Sequence, residues 1–127
     1  MMVFLICAGL LGLLAAVLTI NVGRVRGNKR IFLGDGGDPE MAAAIRAHGN
    51  LIELTPLCLF LIWLLHGTYG DRTIAIMAVV LLIARILHAG GMLGLVRFGR
   101  TSGAVATTTL LAVVSVMLAL VGLGIRF

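Results

Sequence analysis

At 127 residues the chain is long enough for one domain only, and 61% of it is hydrophobic against 12% charged. A soluble domain carries roughly a quarter charged residues and needs a polar surface, so a mean hydropathy of +1.16 excludes a water-soluble fold and points to lipid as the solvent. The net charge of +5 does not indicate nucleic acid, because the 10 basic residues form no dense tract interleaved with aromatics.

Four apolar segments run over residues 2–22, 39–66, 73–95 and 103–123, each near the ~20 residues that cross ~30 Å of hydrocarbon. Backbone groups in lipid must be satisfied internally, and alternation with polar residues is absent, so all four read as helices. The expected fold class is all-α integral membrane: a four-helix transmembrane bundle in one domain, residues 1–127.

The first segment has neither a basic n-region before it nor an A-x-A site after it, so a retained span is expected rather than a signal peptide. Ala8, Gly12 and Ala16 give it small-xxx-small spacing. Cys7 here and Cys58 in the second segment fall in apolar runs and read as small hydrophobes; no disulfide and no metal site is expected. A basic loop follows with Arg24, Arg26, Lys29 and Arg30, then a turn signal in Gly34–Gly37. Asp38 has the character of an N-cap, Pro39 of the first helical residue, and Glu40 complements the helix dipole. From this start the second helix is about 28 residues, roughly 42 Å, and projects beyond the bilayer at its N-terminal end.

On that helix Arg46, Asn50 and Glu53 are spaced i, i+4, i+7 and share one face. Pro56 removes a donor and frees the carbonyl of Ile52; the alternatives are a mild kink opening space beside Glu53 or a tolerated membrane proline. His66, with Trp63 and Tyr69 nearby, reads as interfacial. On the third span Arg85, His88 and Met92 are spaced i, i+3, i+7, and Arg85 reaches a depth like that of Glu53, so the two are expected to pair within or between subunits. Such a pair alone would only fix helix register. A ladder of Arg46, Asn50 and Glu53 rising to the membrane surface suits a zwitterionic guest, with arginine forking onto a carboxylate and glutamate taking an ammonium group.

The third loop carries Arg97 and Arg100. On the fourth span Ala112, Ser115, Ala119 and Gly122 form a small-residue face for packing, and Ser115 and the Thr107–Thr109 run are expected to bond to backbone. The first and fourth spans are uncharged, so a functional face must be built from the second and third. Arg72 and Arg126 lie on the side opposite the basic loops, and the positive-inside rule then places both termini outside and the basic loops in the cytoplasm.

The stretch GDGGDPEMAAAIRAHGNLIELTP, followed by an apolar run and LLIARILHAGG, resembles the membrane-associated proteins in eicosanoid and glutathione metabolism (MAPEG), most of all their small bacterial members. The resemblance covers nearly the whole chain in span order and loop length. Its most specific part is R-A-x-x-N-x-x-E-x-x-P, supplied by Arg46, Ala47, Asn50, Glu53 and Pro56, with Ala84 and Arg85 in support. It implies a homotrimer in a bacterial inner membrane that binds glutathione between subunits near the cytoplasmic surface. It also implies that Arg46, Asn50 and Glu53 hold the tripeptide, that Arg26 and Arg24 lie at the site mouth, and that Arg100 or Arg97 polarises the glutathione thiol. His88 stands where relatives carry a tyrosine and still offers a hydrogen-bond donor; it and Arg85 are counted with the glutathione-binding residues. Leu54 and Met92 also replace family tyrosines.

The function this implies is a glutathione S-transferase or peroxidase acting by thiolate stabilisation on apolar electrophiles or lipid hydroperoxides that arrive through the bilayer. A non-catalytic binder of lipid or glutathione is the alternative. A small transporter using Glu53 ranks below both, because such proteins place the essential acid in the first span, which here is uncharged.

Overall fold

A computed structural model describes residues 1–125; Arg126 lies outside the described residues. Four helices long and apolar enough to cross a membrane account for most of them. They are α1 (Met2–Lys29), α2 (Pro39–Leu64, extended by a 3-10 turn at Leu65–Gly67), α3 (Asp71–Met92) and α4 (Gly99–Gly122).

Helix α1 runs past residue 22 to Lys29, so Arg24, Arg26 and Lys29 belong to its last turns and not to a loop. Long basic side chains are good helix formers and offset the partial negative charge of a helix C-terminus. Arg30 ends the helix in the left-handed conformation (φ 57°), its N–H donating to the carbonyls of Arg26 and Gly27. The Arg26 guanidinium then donates to the carbonyls of Ile31 (3.2 Å) and Gly34 (2.9 Å) and draws the connecting loop back on the helix end. At the start of α2, Asp38 accepts from the Met41 N–H at 2.9 Å with Pro39 as first helical residue. Lys29 reaches across from α1 to Asp38 (2.9 Å) and Glu40 (3.1 Å), tying the two helix ends together.

Helix α3 packs against the other three helices. Its residues Ile74, Ala78 and Leu81 are buried, against Phe4, Cys7, Leu11 and Leu18 of α1 and Leu51, Cys58 and Ile62 of α2 in one core. Contact with α4 is close where Gly103 crosses α3: a Cβ there would fall 2.5 Å from the Ala84 carbonyl oxygen and 2.6 Å from the His88 nitrogen. The small-residue faces read from the sequence lie elsewhere. Gly12 and Ala16 of α1 and Ala112, Ser115, Ala119 and Gly122 of α4 are exposed in this chain. Within the protomer α4 instead packs through Gly99, Gly103, Thr107, Leu110 and Val114. The expected backbone bonding is present: Thr107 donates to the Gly103 carbonyl (2.8 Å) and Ser115 to that of Leu111 (2.7 Å).

Candidate functional site

The polar face of α2 points out of the bundle. Arg46 Nη1 and Glu53 Oε1 are 3.4 Å apart, both more than half exposed, with half-buried Asn50 between them on the same face. One end of this face opens on a cavity of about 360 Å³ bounded by Pro39, Ala42, Ala43 and Arg46 of α2, Gly91 and Met92 of α3, and Arg100 of α4. Two guanidiniums from different helices thus border one hollow, and one of them, Arg46, is paired with Glu53.

The position of Arg100 is set by α3. A Cβ on Gly91 would overlap the backbone of Gly99 and Arg100, and one on Gly99 would overlap the Leu87 carbonyl, so only glycine lets the end of α3 and the start of α4 come this close. His88 Nδ1 lies 2.9 Å from the Arg100 carbonyl oxygen; since that oxygen only accepts, Nδ1 carries the proton. Phe98 takes the left-handed region (φ 62°) and turns the chain into α4. Met92 and Pro39 are shared with a second cavity of about 520 Å³, which carries Arg24, Asn21 and Glu40. The Arg24 guanidinium donates to Asn21 Oδ1 at 2.9 Å. The first turns of α2 therefore stand between two hollows, each bordered by arginine.

Other residues singled out from the sequence are placed differently. Arg97 stacks on the ring of Phe98, 5.0 Å from its centroid, and does not border the 360 Å³ cavity. Arg26 is committed to the loop carbonyls. His88 is buried, with its Nε2 unpartnered among the described residues. Arg85 does not meet Glu53. It is 0% exposed and directs Nη1 to the Thr107 hydroxyl at 3.3 Å, while Nε and Nη2 have no partner among the described residues. The crossing of α3 and α4 at Gly103 encloses Arg85 between helices, whereas Glu53 faces outward; burial closes off a pairing with another subunit as well as one within the chain. The space beside Pro56 likewise opens toward α1 and not toward Glu53.

Gly91, Gly99 and Gly103, which place Arg100, are not among the residues singled out from the sequence. The four-residue spacing of Gly99 and Gly103 is the same signal read on α1, and marks the closer contact here.

The MAPEG family model matches residues 4–120 of the chain. The chain is similar to "Inner membrane protein YecN" of Escherichia coli strain K12, with 34% identity over 107 residues that cover 84% of this chain and 82% of that protein. The protein of the same name from Escherichia coli O6:H1 (strain CFT073) matches to the same extent.

Proposed function

This chain belongs to the MAPEG family, and on that premise we propose that it is an inner-membrane, glutathione-binding protein acting as a glutathione S-transferase or peroxidase on apolar electrophiles or lipid hydroperoxides. The observation that carries the reading is the meeting of Arg46 and Arg100 at one cavity of about 360 Å³, with Glu53 paired to Arg46. This donor set fits the peptide: two guanidiniums match its two carboxylates or one carboxylate and the sulfur, and a carboxylate matches its ammonium group.

Glutathione supplies the sulfur nucleophile. Arg46 and Glu53 orient the peptide's charged ends, with Asn50 between them as a neutral donor and acceptor. The Arg100 guanidinium, held over the cavity by its backbone tie to His88, favours the charged form of a sulfur placed beside it and lowers its pKa. Arg24 and Arg26 add positive potential at the basic end of the bundle, which draws an anionic peptide in. With that end in the cytoplasm, as the positive-inside rule places it, the site faces the compartment that contains glutathione.

A homotrimer completes the reading. An exposed Arg46–Glu53 pair at membrane depth is costly against lipid and calls for protein cover, and the outward small-residue faces of α1 and α4 suit helix contact between copies. One observation favours the non-catalytic alternative: His88 is buried and spends Nδ1 on the Arg100 carbonyl, so it offers no donor of the kind a tyrosine would present.

The test is purified protein with glutathione and a chloronitrobenzene electrophile. Thiolate absorbance and turnover support the enzyme; calorimetric binding without turnover moves the answer to the binder; no binding by wild type sinks both.

A further inference from the structure

We propose that the α1–α2 and α3–α4 connections, both at the basic end of the bundle, form a rigid foot that sets Phe32, Leu33, Leu95 and Phe98 among the head groups of the adjacent leaflet and selects acidic phospholipids through Arg30 and Arg97. These four apolar side chains are 89%, 91%, 78% and 73% exposed. Large apolar groups gathered outside a packed core mark a contact with a membrane or another protein.

The display is built into both connections. Arg26 donates to the carbonyls of Ile31 (3.2 Å) and Gly34 (2.9 Å), so Phe32 and Leu33 form a knuckle pinned on either side. Ile31 turns inward onto Val25, Met41 and Ala44 and lies against Gly36, where a Cβ would fall 3.1 Å from its Cδ1. In the other connection Phe98 holds φ 62°, a left-handed value that is costly for a bulky side chain. Its ring stays outside, with the Arg97 guanidinium 5.0 Å from the centroid. Hydrogen bonds in one loop and backbone strain in the other thus keep apolar groups facing outward.

Depth and charge select the occupant. With 22 residues, about 33 Å, α3 matches the ~30 Å of hydrocarbon, which puts Leu95 and Phe98 near its boundary. Asn21, Arg24 and Val25 border one cavity with Met92 and Leu95, so the last four residues of α1 rise about 6 Å past that boundary into the head-group layer. The tie from Arg26 holds Phe32 and Leu33 beside this stretch instead of above it. Arg30 and Arg97 are exposed and have no carboxylate partner among the described residues, whereas Lys29 is taken by Asp38 and Glu40. Two free guanidiniums beside apolar anchors match the phosphates and net negative charge of an acidic leaflet. A second copy of the chain would bring the same positive charge to this end and is disfavoured.

The test uses the full chain in nanodiscs with brominated lipid as quencher and no glutathione, so its outcome is independent of the catalytic reading. Trp63→Phe removes the one native tryptophan, and Phe32→Trp or Phe98→Trp then reports on each loop. Both reporters are expected to be quenched by brominated phosphatidylglycerol at about 10- to 25-fold lower mole fraction than by brominated phosphatidylcholine. Arg30→Gln and Arg97→Gln each lower this preference by about fivefold, the contribution of one basic residue near an anionic surface, with unchanged thermal unfolding as the control for fold. Equal quenching by the two lipids, or a preference that survives replacement of both arginines, overturns the proposal. So does quenching by aqueous acrylamide with none by either lipid, which puts the loops in water and leaves them to a soluble partner.

Discussion

Arg46 and Arg100 border one cavity, and Arg97, the other arginine of the same connection, stacks on its neighbour Phe98. Arg46→Ala and Arg100→Ala are therefore each expected to weaken glutathione binding by about 10- to 100-fold, the cost of a lost charged hydrogen bond, while Arg97→Ala stays within about twofold of wild type. Calorimetry on the three variants decides this, and equal losses in all three would detach the site from the cavity. Arg85 makes the opposite case, of a charge that serves the interior. Thr107 is its one partner among the described residues, so Thr107→Val is expected to lower stability by about 1–3 kcal/mol, read from thermal unfolding in detergent. The periodicity of Arg46, Asn50 and Glu53 was legible because a helix repeats every 3.6 residues. The environment of Arg85 was not, since depth along a helix says nothing about the direction in which a neighbouring helix encloses a side chain.

At the scale of the helix, ends and crossings carry the specificity. The start of α2 could be read directly from Asp38, Pro39 and Glu40, because capping is a local code. Asp38 accepts the Met41 N–H and faces Lys29, and both contacts hold its carboxyl below the usual aspartate range. A folded-state pKa below the unfolded one gives stability that is present above the unfolded value and is lost as pH falls through the folded one. Wild type should therefore melt above Asp38→Ala at neutral pH, and the gap should close as the solution is acidified below the ordinary aspartate pKa. A gap independent of pH would refute the role of the charge. The α3–α4 crossing was not legible, because several glycine and alanine ladders in this chain have the same spacing and only the fold selects one. Gly103→Val drives a side chain into the Ala84 carbonyl and the His88 backbone and is expected to cost about 1–3 kcal/mol or more. Earlier reaction of Cys7 and Cys58, both buried, with a thiol dye on heating gives the readout.

For the whole molecule, composition alone was enough to require lipid, and helix length then required four crossings. What composition does not carry is which surfaces meet another copy, since Leu, Ile and Val face lipid and protein alike. On the trimer reading, the half-exposed Arg46–Glu53 pair and the outward Ala112, Ser115 and Ala119 are the surfaces that another copy would cover. Light scattering in detergent is expected to give the mass of three chains; a monomer with full glutathione affinity would contradict it. The contacts of Gly91, Gly99 and Gly103 add a mechanical consequence. Because they lock α3 and α4 backbone to backbone, these two helices form the fixed jaw of the cavity that holds Arg100. The opposing jaw is the first turns of α2, seated on α1 by buried Met41 and Ala44 against Val25 and by Lys29 to Asp38 and Glu40, so widening of the cavity requires α1 to move with that end of α2.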